Sequence, residues 1–179
     1  MTVSGGEPAM QPGFLEAFLA GCGDAGIRVA LDTCGYADWG VYDRLLPLVD
    51  LVLFDLKVAD RERHRQATGV YPDRIFANAA SIARRGLPMW IRTPIVPEYT
   101  DAEENVTAIA AFIRERLPTV ERWDLLAYTN LGRPKYHRLD LSYALEATGL
   151  LARHQMERLA SLAATSNVPV VAWSGATRE

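Results

Sequence analysis

Leu51-Val52-Leu53-Phe54-Asp55-Leu56-Lys57 is the stretch whose reading decides the fold. Its first four residues form a continuous apolar run, the pattern of a short strand buried on both faces in a parallel sheet. The next three put a carboxylate and an ammonium just past the strand's end. In parallel βα folds, chemistry collects at the carboxyl ends of the strands. The rest of the chain can be read by asking whether other apolar runs end in the same way.

Upstream, a short strand ends at Val3 and runs into Ser4-Gly5-Gly6-Glu7-Pro8, and Ile27–Leu31 runs into Asp32-Thr33-Cys34-Gly35. Downstream, Met89–Arg92 exits through Thr93-Pro94, and Trp123–Leu126 exits through Ala127-Tyr128-Thr129-Asn130. Val168–Trp173 reads as a terminal strand. Between these runs lie helix-period stretches at 14–22, 38–46, 60–67, 75–83, 103–113 and 152–165. Thr100-Asp101-Ala102-Glu103 has the form of a capping box. The alternation predicts one α/β domain over residues 1–179, built from parallel βα units. Glu7, Asp32, Asp55, Lys57, Arg92 and Tyr128 gather at one rim. Cations and carboxylates together suit a zwitterionic ligand.

Each feature also has a plainer reading. Gly5-Gly6 serves as a tight turn, Asp32 and Asp55 serve as N-caps, and Lys57 snorkels to the surface. Arg92 pairs with a carboxylate, and Cys34 packs as an unreactive thiol. His64, His137 and His154 sit in polar surroundings and are expected to face solvent. Lys57 at a barrel mouth also allows a Schiff-base lysine, though no acid–base constellation accompanies it.

Composition bounds the function classes. The 179 residues are 49% hydrophobic and 23% charged, with a formal net charge of −3. That excludes a disordered chain and gives no reason to expect nucleic acid as a partner. No apolar run approaches the roughly 18 residues of a membrane span. The start lacks a signal-peptide pattern, so the expected compartment is the cytoplasm. Two cysteines do not make a disulfide framework. Only Lys57 and Lys135 among the 19 basic residues are lysines.

The motifs say more in combination. They run Ser-Gly-Gly-Glu-Pro, Leu31–Gly35, Asp55-Leu56-Lys57, His64 with Thr68-Gly69-Val70, Asn78, Ile91–Pro97, Glu104-Asn105, and Leu131-Gly132 with Lys135-Tyr136. In this order and spacing the chain resembles the glycyl-radical-enzyme activating enzymes, the pyruvate formate-lyase activating family of radical S-adenosylmethionine (SAM) enzymes. The resemblance implies a partial (β/α)6 barrel whose first βα unit is missing, with five parallel strands retained and a sixth at the C-terminus. It implies reductive cleavage of SAM by a [4Fe-4S] cluster to a 5'-deoxyadenosyl radical, which forms a glycyl radical on a partner enzyme. The implied partners are a pyruvate formate-lyase-like glycyl-radical enzyme and an electron donor such as flavodoxin or ferredoxin.

Residue by residue, the resemblance assigns Gly5, Gly6, Glu7, Asp32, Asp55, Leu56, Lys57, Arg92 and Thr129 to SAM. Gly5, Gly6 and Glu7 match the grip on its amino group, and Lys57 the partner of its carboxylate. Asp32, Thr33, Leu53 and Asp55 match positions around a monovalent cation. Three departures stand out. The Cys-x3-Cys-x2-Cys loop that holds the cluster is absent, and in the family it lies upstream of Ser-Gly-Gly-Glu-Pro, so the chain reads as the C-terminal part of an activase, unable to bind the cluster and inactive alone. Thr129 stands where a ring is usual, and Glu98 and Thr100 stand where Gly and Asn are usual. A non-catalytic module that binds SAM or a partner protein is the alternative.

Overall fold

The computed structural model describes residues 1–179. Its strands are β1 (Thr2–Val3), β2 (Ala30–Thr33), β3 (Leu51–Asp55), β4 (Met89–Ile95), β5 (Val120–Ala127) and β6 (Val170–Ser174). They form one sheet in sequence order, and every pairing is parallel. Parallel neighbours need a crossover, and crossovers are almost always right-handed. When strands are added in sequence order, that handedness puts every crossover on the same side of the sheet. The helices that carry the crossovers are α1 (Pro12–Asp24), α2 (Trp39–Leu45), α3 (Arg61–Thr68), α4 (Asp73–Arg84), α5 (Glu103–Arg116), α6 (Arg133–Arg138) and α7 (Arg153–Ala163). The product is the expected arc of a βα barrel, with β1 and β6 at its edges.

Burial follows from this one-sided winding. In β3, Val52 and Phe54 are fully buried, while Leu51, Leu53 and Asp55 are only half-buried. In β4, Met89, Ile91, Thr93 and Ile95 are buried, and Trp90, Arg92 and Pro94 are not. This corrects the reading of Leu51–Phe54 as buried on both faces. Helices cover one face of the strand, and the other face lines the open side of the arc. The covered face packs against Leu15 and Leu19 of α1, Ile82 of α4, Val106 and Ile109 of α5 and Met156 of α7. Each such side chain contributes about 1.5–3 kcal/mol on burial. Because side chains alternate along a strand, the same pleat that buries Leu31, Phe54 and Ile91 turns Asp32, Asp55 and Arg92 to the open face.

Two local features differ from expectation. Residues 100–103 form no capping box: Ala102 is the N-cap of α5, with no side-chain bond. Thr100 turns back toward β4, where its Oγ1 donates to the Pro94 carbonyl and accepts from the Val96 amide at 2.7 Å. Asp101 accepts from the Glu98 amide at 2.9 Å. These bonds brace a loop in which Glu98 takes φ 70°, a conformation that suits glycine, and glycine is what the resemblance places there. The polar loop after Tyr128 is also partly ordered, as a 3-10 turn at Asn130–Gly132 followed by α6.

Candidate functional site

The candidate site is a chain of charges across the carboxyl ends of β2, β3 and β4. Asp55 ends β3, and its Cα partner across the sheet is Arg92. The Arg92 guanidinium donates to Asp55 Oδ1 from Nε at 3.2 Å and from Nη2 at 2.9 Å, and to Asp32 Oδ1 from Nη2. Asp32 Oδ2 accepts from the Ser4 hydroxyl at 2.7 Å. Lys57 Nζ lies 3.1 Å from Asp55 Oδ2. All four carboxylate oxygens are therefore engaged. The four charged side chains keep between 16% and 32% of their exposure, dry enough to strengthen the pairs and open enough to meet a ligand. Burial alone would lower the Arg92 pKa. The Asp55 and Asp32 carboxylates outweigh it and raise the pKa, so the guanidinium stays charged. Neither Asp32 nor Asp55 caps a helix; the cap of α3 is Asp60, which accepts from the Arg63 amide at 2.8 Å.

Lys57 and Thr68 line two neighbouring cavities. One, of about 350 Å³, is also bounded by Glu7, Met10, Cys34, Asp55, His64 and Val70. The other, of about 430 Å³, is bounded by Pro94, Val96, Tyr99, Tyr136, Tyr143 and Leu145. The rim thus offers a cation between a smaller cavity, with Glu7, Asp55 and His64 in its wall, and a larger one walled in part by tyrosines. Tyr128 is buried behind that wall, its hydroxyl 3.0 Å from that of Tyr143. Thr129 follows it, half-buried, and leads into the 3-10 turn.

The remaining candidates occupy supporting positions. Glu7 accepts from the Thr33 hydroxyl at 2.7 Å, the Cys34 amide at 2.7 Å and the Ala9 amide at 3.1 Å, and so ties the exit of β1 to the exit of β2. Gly5 and Gly6 both have positive φ, 110° and 58°, which a turn between them and Glu7 requires. Leu56 is fully buried; its amide donates to the Arg92 carbonyl and its carbonyl accepts from Thr93 Oγ1. Leu53 lies half-buried on the open face. Gly35 has φ 75°, and a Cβ there would come within 2.2 Å of the Phe54 ring, so the loop after β2 rests directly on the core.

One expectation fails outright. His64 does not face solvent: it is 2% exposed, with Nδ1 2.8 Å from the Val70 carbonyl and 3.0 Å from the Thr68 hydroxyl. Burial lowers its pKa, outweighing the Val70 carbonyl, which raises it. His137 and His154 are exposed, as expected. Cys34 lines the smaller cavity, but burial and the Glu7 carboxylate push its thiol up to about 11, so it is a packed, unreactive thiol.

Some residues that matter were not singled out as site residues. Ser4 holds Asp32. Asn105 donates to the carbonyls of Lys57 and Thr100, both at 3.0 Å, and accepts from the Ala59 amide at 2.8 Å, which pins the Lys57 loop to the loop after β4. Asn78 donates to the Gly35 and Ala37 carbonyls, both at 2.8 Å. Each asparagine falls on the apolar stripe of its helix. A lone amide in such a stripe must find partners, and that was the signal available in the sequence.

The donor sets bear on the three implied groups differently. An iron–sulfur cluster needs thiolates. Here Cys22 is buried on the core face of α1 and Cys34 is held as a thiol, so these residues do not fit it. A zwitterionic amino acid such as the methionyl end of SAM fits the rim: Lys57 suits its carboxylate, and Asp32 and Asp55 suit its ammonium. The oxygens of Asp32, Asp55 and Thr33 are also the kind of donor a monovalent cation takes; in this structure Arg92 bridges the two carboxylates, and the Thr33 hydroxyl is bonded to Glu7, Tyr42 and the Gly35 amide.

Comparisons with known proteins agree with the geometry. The profile of the Radical SAM superfamily matches residues 1–109. The chain is 42% identical over 142 residues to the isethionate sulfite-lyase activating enzyme of Nitratidesulfovibrio vulgaris, a match covering 78% of this chain and 45% of that one. It is 36% identical over 159 residues to the pyruvate formate-lyase-activating enzyme of Clostridium pasteurianum, covering 89% and 66%. The chain thus spans about half to two-thirds of the length of these curated relatives. In fold it is similar to a domain of the pyruvate-formate lyase-activating enzyme from Bacteroides vulgatus, with a TM-score of 0.82, 24% identity and 98% of each chain covered. With most of its length matched by the family profile and its six parallel strands carrying the charges at their carboxyl ends, the chain belongs to the radical SAM superfamily.

Proposed function

We propose that this chain is the SAM-gripping part of a glycyl-radical-enzyme activating enzyme. The observation that carries the reading is the Lys57–Asp55–Arg92–Asp32 array at the strands' carboxyl rim, whose Lys57 lines both neighbouring cavities and whose Asp55 lines one. SAM, when bound, supplies a sulfonium and a deoxyadenosyl group. Lys57 pairs with its carboxylate, and Asp32 and Asp55 receive its ammonium. Ser4 and Arg92 keep the two carboxylates oriented, and Glu7 holds the β2 exit beneath them. The tyrosine-lined cavity takes the apolar part of the ligand. Cleaving SAM also needs an electron source, and the two cysteines here do not hold a cluster. The chain alone is therefore a binding unit without the activating reaction. Its partner, by similarity to relatives named as activating enzymes, is a glycyl-radical enzyme.

Amide chemical shifts under a SAM titration test this. The expected result is saturable movement confined to residues around Gly35, Asp55–Lys57 and Tyr128–Thr129. Movement confined to another face, or none at millimolar SAM, contradicts the reading.

A further inference from the structure

We propose that His64 is a further contact residue of the rim site, its Nε2 accepting a hydrogen bond from the ammonium of an amino-acid ligand whose carboxylate pairs with Lys57. This deepens the proposed function and rests on its reading of the rim as the place for the charged end of SAM. The ring is held in one orientation and one tautomer. Nδ1 lies 2.8 Å from the Val70 carbonyl, which can only accept, so Nδ1 carries the proton. The Thr68 hydroxyl sits 3.0 Å from the same nitrogen but donates to the His64 carbonyl at 2.8 Å, which leaves it no proton for the ring. In a neutral imidazole protonated on Nδ1, Nε2 is a lone-pair acceptor. Burial, and after it the Lys57 charge, lower the His64 pKa, so the ring is neutral at neutral pH.

Both hydrogen bonds of the ring use Nδ1, and no protein donor reaches Nε2. Nor is Nε2 among the sealed polar atoms that lack a partner. It therefore opens on the cavity of about 350 Å³ that His64 lines together with Glu7, Asp55 and Lys57. The carboxylates in that wall are engaged. Glu7 holds the Thr33 hydroxyl and the Cys34 and Ala9 amides, and Asp55 shares its oxygens between Arg92 and Lys57. An ammonium brings three N–H donors, and the Nε2 lone pair meets one of them without giving up an existing bond. Lys57 stands in the same wall, so a carboxylate paired with it carries the ammonium of the same amino acid into the same cavity.

Proton–nitrogen-15 correlation spectra of the protein labelled in its histidine rings read both ring nitrogens with the His64 site intact. His137→Gln and His154→Gln, both at exposed positions, assign the remaining ring to His64. The free protein is expected to show a neutral His64 protonated on Nδ1. Added SAM should move the Nε2 resonance upfield, as accepting a hydrogen bond does, and saturably, with the same midpoint as the amide shifts at Asp55–Lys57. Methylthioadenosine, which lacks the amino-acid end, should leave it in place. A free protein with His64 protonated on Nε2 overturns the proposal. So does SAM that saturates the amide shifts while Nε2 stays where it was, or moves it no further than methylthioadenosine does; the proposed function then stands and the His64 contact alone fails. If neither the amides nor Nε2 move at millimolar SAM, both readings fall.

Discussion

At the scale of single residues, the candidate site is a set of charges that neutralise one another. Two carboxylates face two cations, and each oxygen has a named donor. Asp32, Asp55, Lys57 and Arg92 were all legible in the sequence, because each stands at or just beyond an apolar run that ends at the rim. His64 was not. Its neighbours in sequence are arginines and a glutamine, and local polarity says nothing about a side chain that the fold turns inward between Val70 and Thr68. Its burial carries a prediction. The folded-state pKa lies below the ordinary value of 6.5, so the unfolded chain binds the proton first as pH falls. Stability from this residue is therefore fully present above about pH 6.5 and is lost as pH drops from there through the folded-state value. Thermal melts between roughly pH 7 and pH 5 should show this decline. It should be shallower in His64→Gln, and an equal slope in both proteins would refute the assignment.

At the scale of elements, the loops beyond the strands hold the site, and a few buried polar side chains hold the loops. Asn105 joins the loop after β3 to the loop after β4 through three hydrogen bonds. Thr93 ties β4 to the Leu56 carbonyl while accepting from the Trp123 indole at 3.0 Å. Asn105→Ala leaves two carbonyls and an amide without partners. It should cost about 1–3 kcal/mol for each group that water cannot reach. Urea unfolding reads that loss, and a change within error would show that the loops are held by something else. The capping box expected at Thr100 shows why element boundaries were less legible than elements. The motif was present, but Thr100 gains more by satisfying Pro94 and Val96 inside a buried loop than by capping a helix. The two-sided burial expected of β3 failed for a related reason. An apolar run does not reveal whether one face or both will be covered; that depends on which way successive crossovers turn.

At the scale of the whole molecule, parallel pairing and the single rim were legible from the alternation of apolar runs with helix-period stretches, and the barrel-like strand order only through the family resemblance. The loop that joins β5 to α7 was not. Its glycines, prolines and tyrosines gave no period, and its short helix α6 meets the rest of the loop through Tyr136 against Tyr143 and Arg133 paired with Glu146. No helix is long and apolar enough to cross a membrane.

The central claim is that Lys57 and the carboxylates beside it hold the charged end of SAM. A charge-assisted contact contributes about 1.5–3 kcal/mol, and association costs several kcal/mol of lost freedom. Binding to this chain alone is therefore expected near millimolar, or roughly −4 kcal/mol. Calorimetry with SAM on the wild type and on Lys57→Ala measures this directly. Weak binding is expected for the wild type and none detectable once the Lys57 ammonium is removed, because an arginine does not have its shape or reach. Micromolar binding, or weak binding that is the same in both proteins, would contradict it.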